Sequence, residues 1–220
     1  MKALVIIDMQ NDFITGSLAN KRAQKIVPNI VKLIEKGGYD AAFVTKDTHS
    51  SNYLDTPEGK KLPVKHCMYG TAGWCVEGKI FGALEDNFKG KANWYPDESG
   101  MGGFVRFSIK PTDESAPFVV FIDKRTFGTM AWRNMEGWLR DADIDVVGVC
   151  TDICVVSNVL ILKAMYPNAN ISVLSDLCAG TTDEAHKAAL STMASCQVDI
   201  KESGLPQEGD GWPTKPGVMW

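Results

Sequence analysis

Short apolar runs alternate along the chain with segments of helical periodicity. Ala3–Ile7, Ala41–Thr45, Val119–Ile122, Val146–Val149 and Ile171–Leu174 read as buried strands, and Gln197–Ile200 as a last one. Between the first two, residues 20–36 repeat apolar positions at spacings of three and four (Ile26, Val27, Ile30, Val31, Ile34). Pro28 falls inside that pattern and predicts a start or a kink there, and Gly37-Gly38 ends it. Further helices are predicted at 130–141, 153–165 and 182–195. Strands separated by helices imply βαβ units. The chain therefore reads as a single-domain α/β three-layer sandwich, a mostly parallel sheet with helices on both faces.

Residues 50–117 break the rhythm, being rich in Gly, Pro and aromatics with weak periodicity. Loops of that length in a compact domain are usually functional or mobile. The expected division is a domain over 1–202, with 76–117 as an insertion or lid, and an irregular tail over 203–220.

Composition narrows the partners. The chain has 220 residues, 45% of them hydrophobic, enough for a sizeable core. Net charge is -4 and no Lys/Arg cluster is dense enough to track a phosphate backbone, so nucleic acid is not an expected partner. No apolar run approaches the roughly 20 residues that span a bilayer. The N-terminal run is too short for a secretory leader. A cytoplasmic protein with no membrane partner is expected. Six cysteines, at 67, 75, 150, 154, 178 and 196, form no Cys-x-x-Cys pair and read as reduced thiols.

In open α/β sheets, ligands bind beyond the carboxyl ends of the strands. Those ends deliver Asp8, then Asp47 and His49, then Asp123 and Lys124, then Cys150, Thr151, Asp152 and Cys154, then Asp176. Cys154 follows a capping pair and opens an apolar helix. Unpaired N–H groups and the helix dipole there favour thiolate and can stabilise an oxyanion. The local context equally suits a small core cysteine. Asp8 is placed to exchange a proton with the thiol, or to cap the next loop. Lys124 is either the cation that keeps that carboxylate charged or a surface lysine. Asp47 and His49, with Glu58 and His66, form an oxygen/nitrogen set that suits Zn²⁺, Mn²⁺ or Fe²⁺; a polar loop with incidental histidines gives the same letters.

Five collinear blocks then resemble one family. They are Ile6 to Phe13 (Ile-Ile-Asp-Met-Gln-Asn-Asp-Phe), Thr45 to His49, His66 to Trp74, Asp123-Lys124, and Gly148 to Val155. Together the chain resembles the isochorismatase-like cysteine hydrolases, the nicotinamidase/pyrazinamidase group in particular. The resemblance implies a six-stranded sheet and a catalytic triad of Asp8, Lys124 and Cys154. It implies a cis peptide at Val149–Cys150 and an oxyanion hole from the N–H groups of Cys150 and Cys154. It also implies a divalent metal, zinc first with manganese or iron as alternatives, held by Asp47, His49 and His66. Glu58 is the candidate third ligand in chain order and Asp55 its competitor. Phe13, with Tyr53, Tyr69 or Trp74, is expected to pack the substrate ring.

The implied reaction is hydrolysis of nicotinamide to nicotinate and ammonia through a Cys154 thioester, a step of NAD salvage, in a dimer or tetramer. The alternatives are a related amidase for N-carbamoyl or ureido substrates and a non-catalytic binding protein with the same fold. The stretch Asn93 to Phe104 is longer than the family leads one to expect.

Overall fold

The computed structural model describes residues 1–89, 92–95 and 117–205. Its strands are β1 (Lys2–Ile7), β2 (Ala41–Asp47), β3 (Ala92–Tyr95), β4 (Phe118–Lys124), β5 (Asp143–Val149), β6 (Asn170–Ala179) and β7 (Asp199–Lys201). They form one sheet in the order β3-β4-β2-β1-β5-β6-β7, with every pairing parallel. The six strands expected from apolar runs are all present. β3 adds a seventh at one edge, inside the segment read as an insertion. The rest of that segment's unusual stretch, from Pro96 on, and the tail beyond Leu205 lie outside the described residues.

The helices are α1 (Asn11–Ile14), α2 (Lys21–Lys36), α3 (Pro57–Lys61), α4 (Gly78–Asn87), α5 (Glu136–Leu139), α6 (Val156–Met165) and α7 (Asp183–Ser195). α2 starts where Asn20 accepts a hydrogen bond from the N–H of Arg22, and Pro28 sits within it. The helix expected over 130–141 is instead a 3₁₀ segment, Met130–Met135, followed by the single turn of α5. The expected helix over 153–165 opens with a π turn, Thr151–Val155, before α6.

Alternate residues of each strand face opposite layers. Leu4, Ile6, Val44 and Phe121 pack with Ile30 and Ile34 of α2 and Ile80 and Leu84 of α4. Val5, Ile7, Phe43 and Ile122 pack with Trp132, Leu139, and Val159 and Leu162 of α6. Both faces of the central strands are thus dry, which is why β1 and β2 read as unbroken apolar runs.

Register fixes which strand ends meet. Ile7 pairs with Thr45 on one side and Gly148 on the other, and Asp47 pairs with Lys124. The residues just past these pairs therefore share one edge of the sheet. Gly148 has φ of 123°, and a Cβ there would lie 2.1 Å from the carbonyl oxygen of Ile7. Only glycine lets β5 approach β1 this closely.

Candidate active site and metal centre

Asp8 leaves β1 with φ of 50° and is fully buried. The turn aims its carboxylate at two neighbours. Thr45 Oγ1 donates to Oδ1 at 2.6 Å, and Lys124 Nζ lies 2.7 Å from Oδ2. The same Nζ donates to Cys154 Sγ at 3.5 Å and lies 3.5 Å from Asp47 Oδ1. One buried ammonium therefore touches a carboxylate, a thiol and a second carboxylate.

Burial makes these charges interdependent. Burial pushes the Asp8 carboxyl above its ordinary range, Lys124 pulls it back, and Asp47 pushes it further up. Burial alone would depress Lys124, but Asp8, Cys154 and Asp47 hold its ammonium well above the ordinary range. The Cys154 thiol is also held well above its ordinary range, by burial first and by Asp8 and Asp47, against the pull of Lys124. The helix start favours thiolate while burial and the two carboxylates oppose it, and the opposing contributions prevail at the Cys154 sulfur.

The Val149–Cys150 peptide is cis, as the resemblance implies. The carbonyl of Cys150 accepts from the N–H groups of Ile153, at 3.0 Å, and Val155, at 3.1 Å. That i+5 bond to Val155 passes over the N–H of Cys154, the partner an α-helical turn would choose. Cys150 also lines the cleft.

A second cluster sits on the other side of Lys124. Asp47 Oδ2 lies 2.9 Å from His49 Nε2 and 3.4 Å from His66 Nε2. Ligand atoms of Asp47, His49 and His66 all lie within 4.8 Å of one another. Glu58 Oε1, carried by α3, lies 3.8 and 3.9 Å from the same imidazole nitrogens. Asp55 is exposed one turn earlier.

Two observations fit a cation here. His66 Nδ1 is 2.8 Å from the carbonyl of Val64, which can only accept, so Nδ1 carries a proton, and in the neutral imidazole Nε2 faces the cluster as a lone pair. His49 Nε2 is buried 2.9 Å from Asp47 Oδ2 but makes no hydrogen bond of good geometry. Two imidazoles and up to two carboxylates suit a borderline divalent ion. Burial raises Asp47, but Lys124, His49 and His66 outweigh it and hold the carboxyl well below the usual range, so it is an anion ready to coordinate.

Both clusters open onto one cleft of ≈570 Å³, whose walls include Phe13, Asp47, Glu58, His66, Cys150 and Cys154. Of the ring-packing aromatics expected from sequence, only Phe13 lines it. Tyr53 stacks behind the ligands, with ring centroids 4.4 Å from His49 and 5.1 Å from His66, and its hydroxyl donates to Leu62. Trp74 is buried under Lys46, donates to Thr48 Oγ1 and contacts Tyr69. Among the described residues, Phe127 also lines the cleft wall.

Three supporting residues also escaped the sequence reading. Thr45 holds Asp8. Gln10 clamps the backbone of Asp47, its Oε1 accepting from Asp47 N–H at 2.7 Å and its Nε2 donating to Asp47 O at 2.8 Å. This side-chain amide continues the ladder that β1 abandons at Asp8. Asn158 donates to the carbonyls of Cys154 and Phe127 and accepts from Trp132 Nε1. Its one available signal was a lone amide inside the apolar run Val155–Leu162.

Known proteins resemble this chain in fold and in sequence. The isochorismatase domain family matches residues 2–90 and 106–203. A nicotinamidase/pyrazinamidase of Mycobacterium tuberculosis is 28% identical over 218 residues, covering 91% of this chain and 98% of that protein. A solved pyrazinamidase/nicotinamidase of Streptococcus mutans superposes with a TM-score of 0.68 at 24% identity, covering 91% of this chain and 99% of the other. A Pyrococcus horikoshii pyrazinamidase solved with zinc gives 0.61 at 23%, covering 91% and 98%. An N-carbamoylsarcosine amidase of Thermoplasma acidophilum gives 0.62 at 23%, covering 94% and 99%. With its matched domain running nearly from end to end of the described residues, the chain belongs to the isochorismatase family.

Proposed function

We propose that this protein is a cysteine amidohydrolase that converts nicotinamide to nicotinate and ammonia. The observation that carries the reading is the position of Lys124 Nζ, which joins Asp8 and Cys154 to the Asp47 edge of a cluster fit for a cation. Cys154 and the cluster thus open onto one cleft, with Asp8 buried behind and joined to Cys154 through Lys124. The likeness to a nicotinamidase/pyrazinamidase along 91% of the chain supports the same substrate.

In this mechanism Asp8 takes the proton of Cys154, which its raised pKa equips it to hold. The thiolate, beside the Lys124 ammonium, attacks the carboxamide carbon. The N–H groups of Cys154 and Cys150 receive the developing oxyanion, consistent with the Cys150 carbonyl bonding past Cys154. Asp8 returns its proton to the departing ammonia, leaving a thioester. Asp8 then accepts a proton from water as it attacks and passes it to the departing Cys154 sulfur, so that the thiol is restored and nicotinate leaves with one proton lost to solvent. Asp47, His49 and His66, with Glu58, would hold the metal; a bound divalent ion, zinc by this donor set, supplies a coordination position for the pyridine nitrogen.

The decisive experiment is ammonia release from nicotinamide by Cys154→Ala. A loss of at least about a thousandfold is expected with metal content unchanged; normal turnover would remove Cys154 from the mechanism. An N-carbamoyl or ureido substrate needs no pyridine anchor. Faster turnover of such a compound than of nicotinamide, undiminished by chelation, would overturn the choice of substrate.

A further inference from the structure

The turn that carries Cys154 is held from outside, by the chain that follows β6. Thr151 Oγ1, on a fully buried residue, lies 2.8 Å from Nδ1 of His186 on α7. The next residue, Asp152, accepts at Oδ1 from the N–H of Thr181 at 2.8 Å and at Oδ2 from the Thr181 hydroxyl. Gly180 lets the two contacts close together: a Cβ there would lie 2.8 Å from the Cβ of His186 and 3.0 Å from Asp152 Oδ1. Two successive residues of the turn are thus pinned by groups 35 and 29 residues further along the chain.

Such a hold has a consequence for the backbone. A π turn is a rare departure from the α form that α6 adopts from Val156 on. A plain helix start would bond the N–H of Cys154 to the carbonyl of Cys150, but the N–H groups of Ile153 and Val155 take that carbonyl instead. The planar peptide between Cys150 and Thr151 carries the same carbonyl, so anchoring Thr151 orients it. A buried hydroxyl must find a partner, and His186 fixes where Thr151 finds one. We infer that His186 is a positioning residue: through Thr151 it holds the nucleophile turn in its π form, which keeps the Cys154 N–H off the Cys150 carbonyl and free for the substrate oxygen. The inference rests on the amidohydrolase reading for the oxyanion, and on Thr151, His186 and the π turn for the geometry.

The test compares His186→Leu, Thr151→Val and His186→Asn. The first two each remove one side of the contact; asparagine returns a polar group near the place of Nδ1 that can donate or accept. With nicotinamide as substrate, His186→Leu should lower kcat about thirtyfold with KM nearly unchanged, because the hole acts on the transition state. Thr151→Val should match it, the double variant should be no worse than either, and His186→Asn should recover most of the loss. Normal kcat in His186→Leu and Thr151→Val, losses that add in the double variant, or no rescue by asparagine would each overturn the inference. The turn itself is read without substrate, from the amide resonances of ¹⁵N-cysteine-labelled protein. That of Cys154 should move in His186→Leu and return in His186→Asn, with that of Cys75 unmoved. A Cys154 amide that stays in place in both His186→Leu and Thr151→Val would overturn the inference as well. If the unaltered protein releases no ammonia from nicotinamide while the amide series behaves as expected, the hydrolase reading fails and the hold of His186 on the turn stands.

Discussion

A carboxylate buried at the end of β1 titrates according to which donors face it. Thr45 gives Asp8 a hydrogen bond that favours the charged form, while burial opposes it. Thr45→Val keeps the shape and removes that donor, so the Asp8 pKa should rise. If Asp8 must be ionised to accept the thiol proton, activity is lost as pH falls through its pKa. The acidic limb of the kcat/KM profile should then move to higher pH, and Thr45→Ser should bring it back. A limb that stays in place in Thr45→Val would deny Asp8 the role of base. His66 supplies a second pH dependence. Burial lowers its pKa, but the Asp47 carboxylate, the Val64 carbonyl and Glu58 outweigh it, and the net shift is upward. Protons compete with a metal for Nε2, so affinity should be lost as pH falls through that raised pKa. Zinc titrations across a pH series check this; affinity that does not weaken on acidification would remove His66 from the ligand set. At this scale the sequence places Cys154 at a helix start but does not show its burial or the carboxylates beside it. The helix-end argument needs only the local chain, whereas the burial and the carboxylates that dominate come from β1 and β2.

Elements are joined here by a few residues whose loss should be felt far from their own position. Gly148→Ala places a Cβ against the Ile7 carbonyl at a backbone angle that L residues rarely adopt. It should cost at least about 3 kcal/mol, read as a shift in denaturant midpoint. A shift under about 1 kcal/mol would mean β5 can move away from β1. Asn158→Leu strands the donors and acceptors that tie α6 to the β4 loop and to Trp132. About 1–3 kcal/mol should be lost there. An unchanged midpoint would show those groups find other partners. The strands that bury both faces were legible because burial writes them as apolar runs. β3 was not: Ala92–Tyr95 is four residues at an edge, where no such run is needed. The 3₁₀ and π segments were hidden for another reason. Periodicity marks a buried face but does not distinguish three bonding patterns whose repeats differ by less than a residue or two.

For the molecule as a whole, the described helices include none long and apolar enough to cross a membrane. A metal that binds the native cluster and not the unfolded chain should stabilise the fold by about 2.7 kcal/mol at a hundred times its Kd. Adding chelator to the metal-loaded protein should accordingly lower Tm, and His49→Ala should abolish the difference. Equal Tm with and without chelator would sink the metal assignment. Four of the five collinear blocks lie at strand ends, those of β1, β2, β4 and β5, and the fifth, His66 to Trp74, is a loop bridged to His49 through Met68. Thr45, Gln10 and Asn158 stayed hidden because their roles depend on who faces them across 26 to 37 residues of chain.

The central strand has one more implication, for how the chain reaches its native state. β1 is the first strand made, yet one of its neighbours, β5, begins at Asp143, and Ala3 pairs with Ile144. Contacts so distant in sequence form slowly, since a long loop must close before they can contribute. Until β5 docks, Asp8 and Lys124 have no Cys154 beside them. Competence should therefore arrive with completion of the sheet and not before: in refolding, catalytic activity should return at the rate of the slowest step in sheet formation, with no early active species.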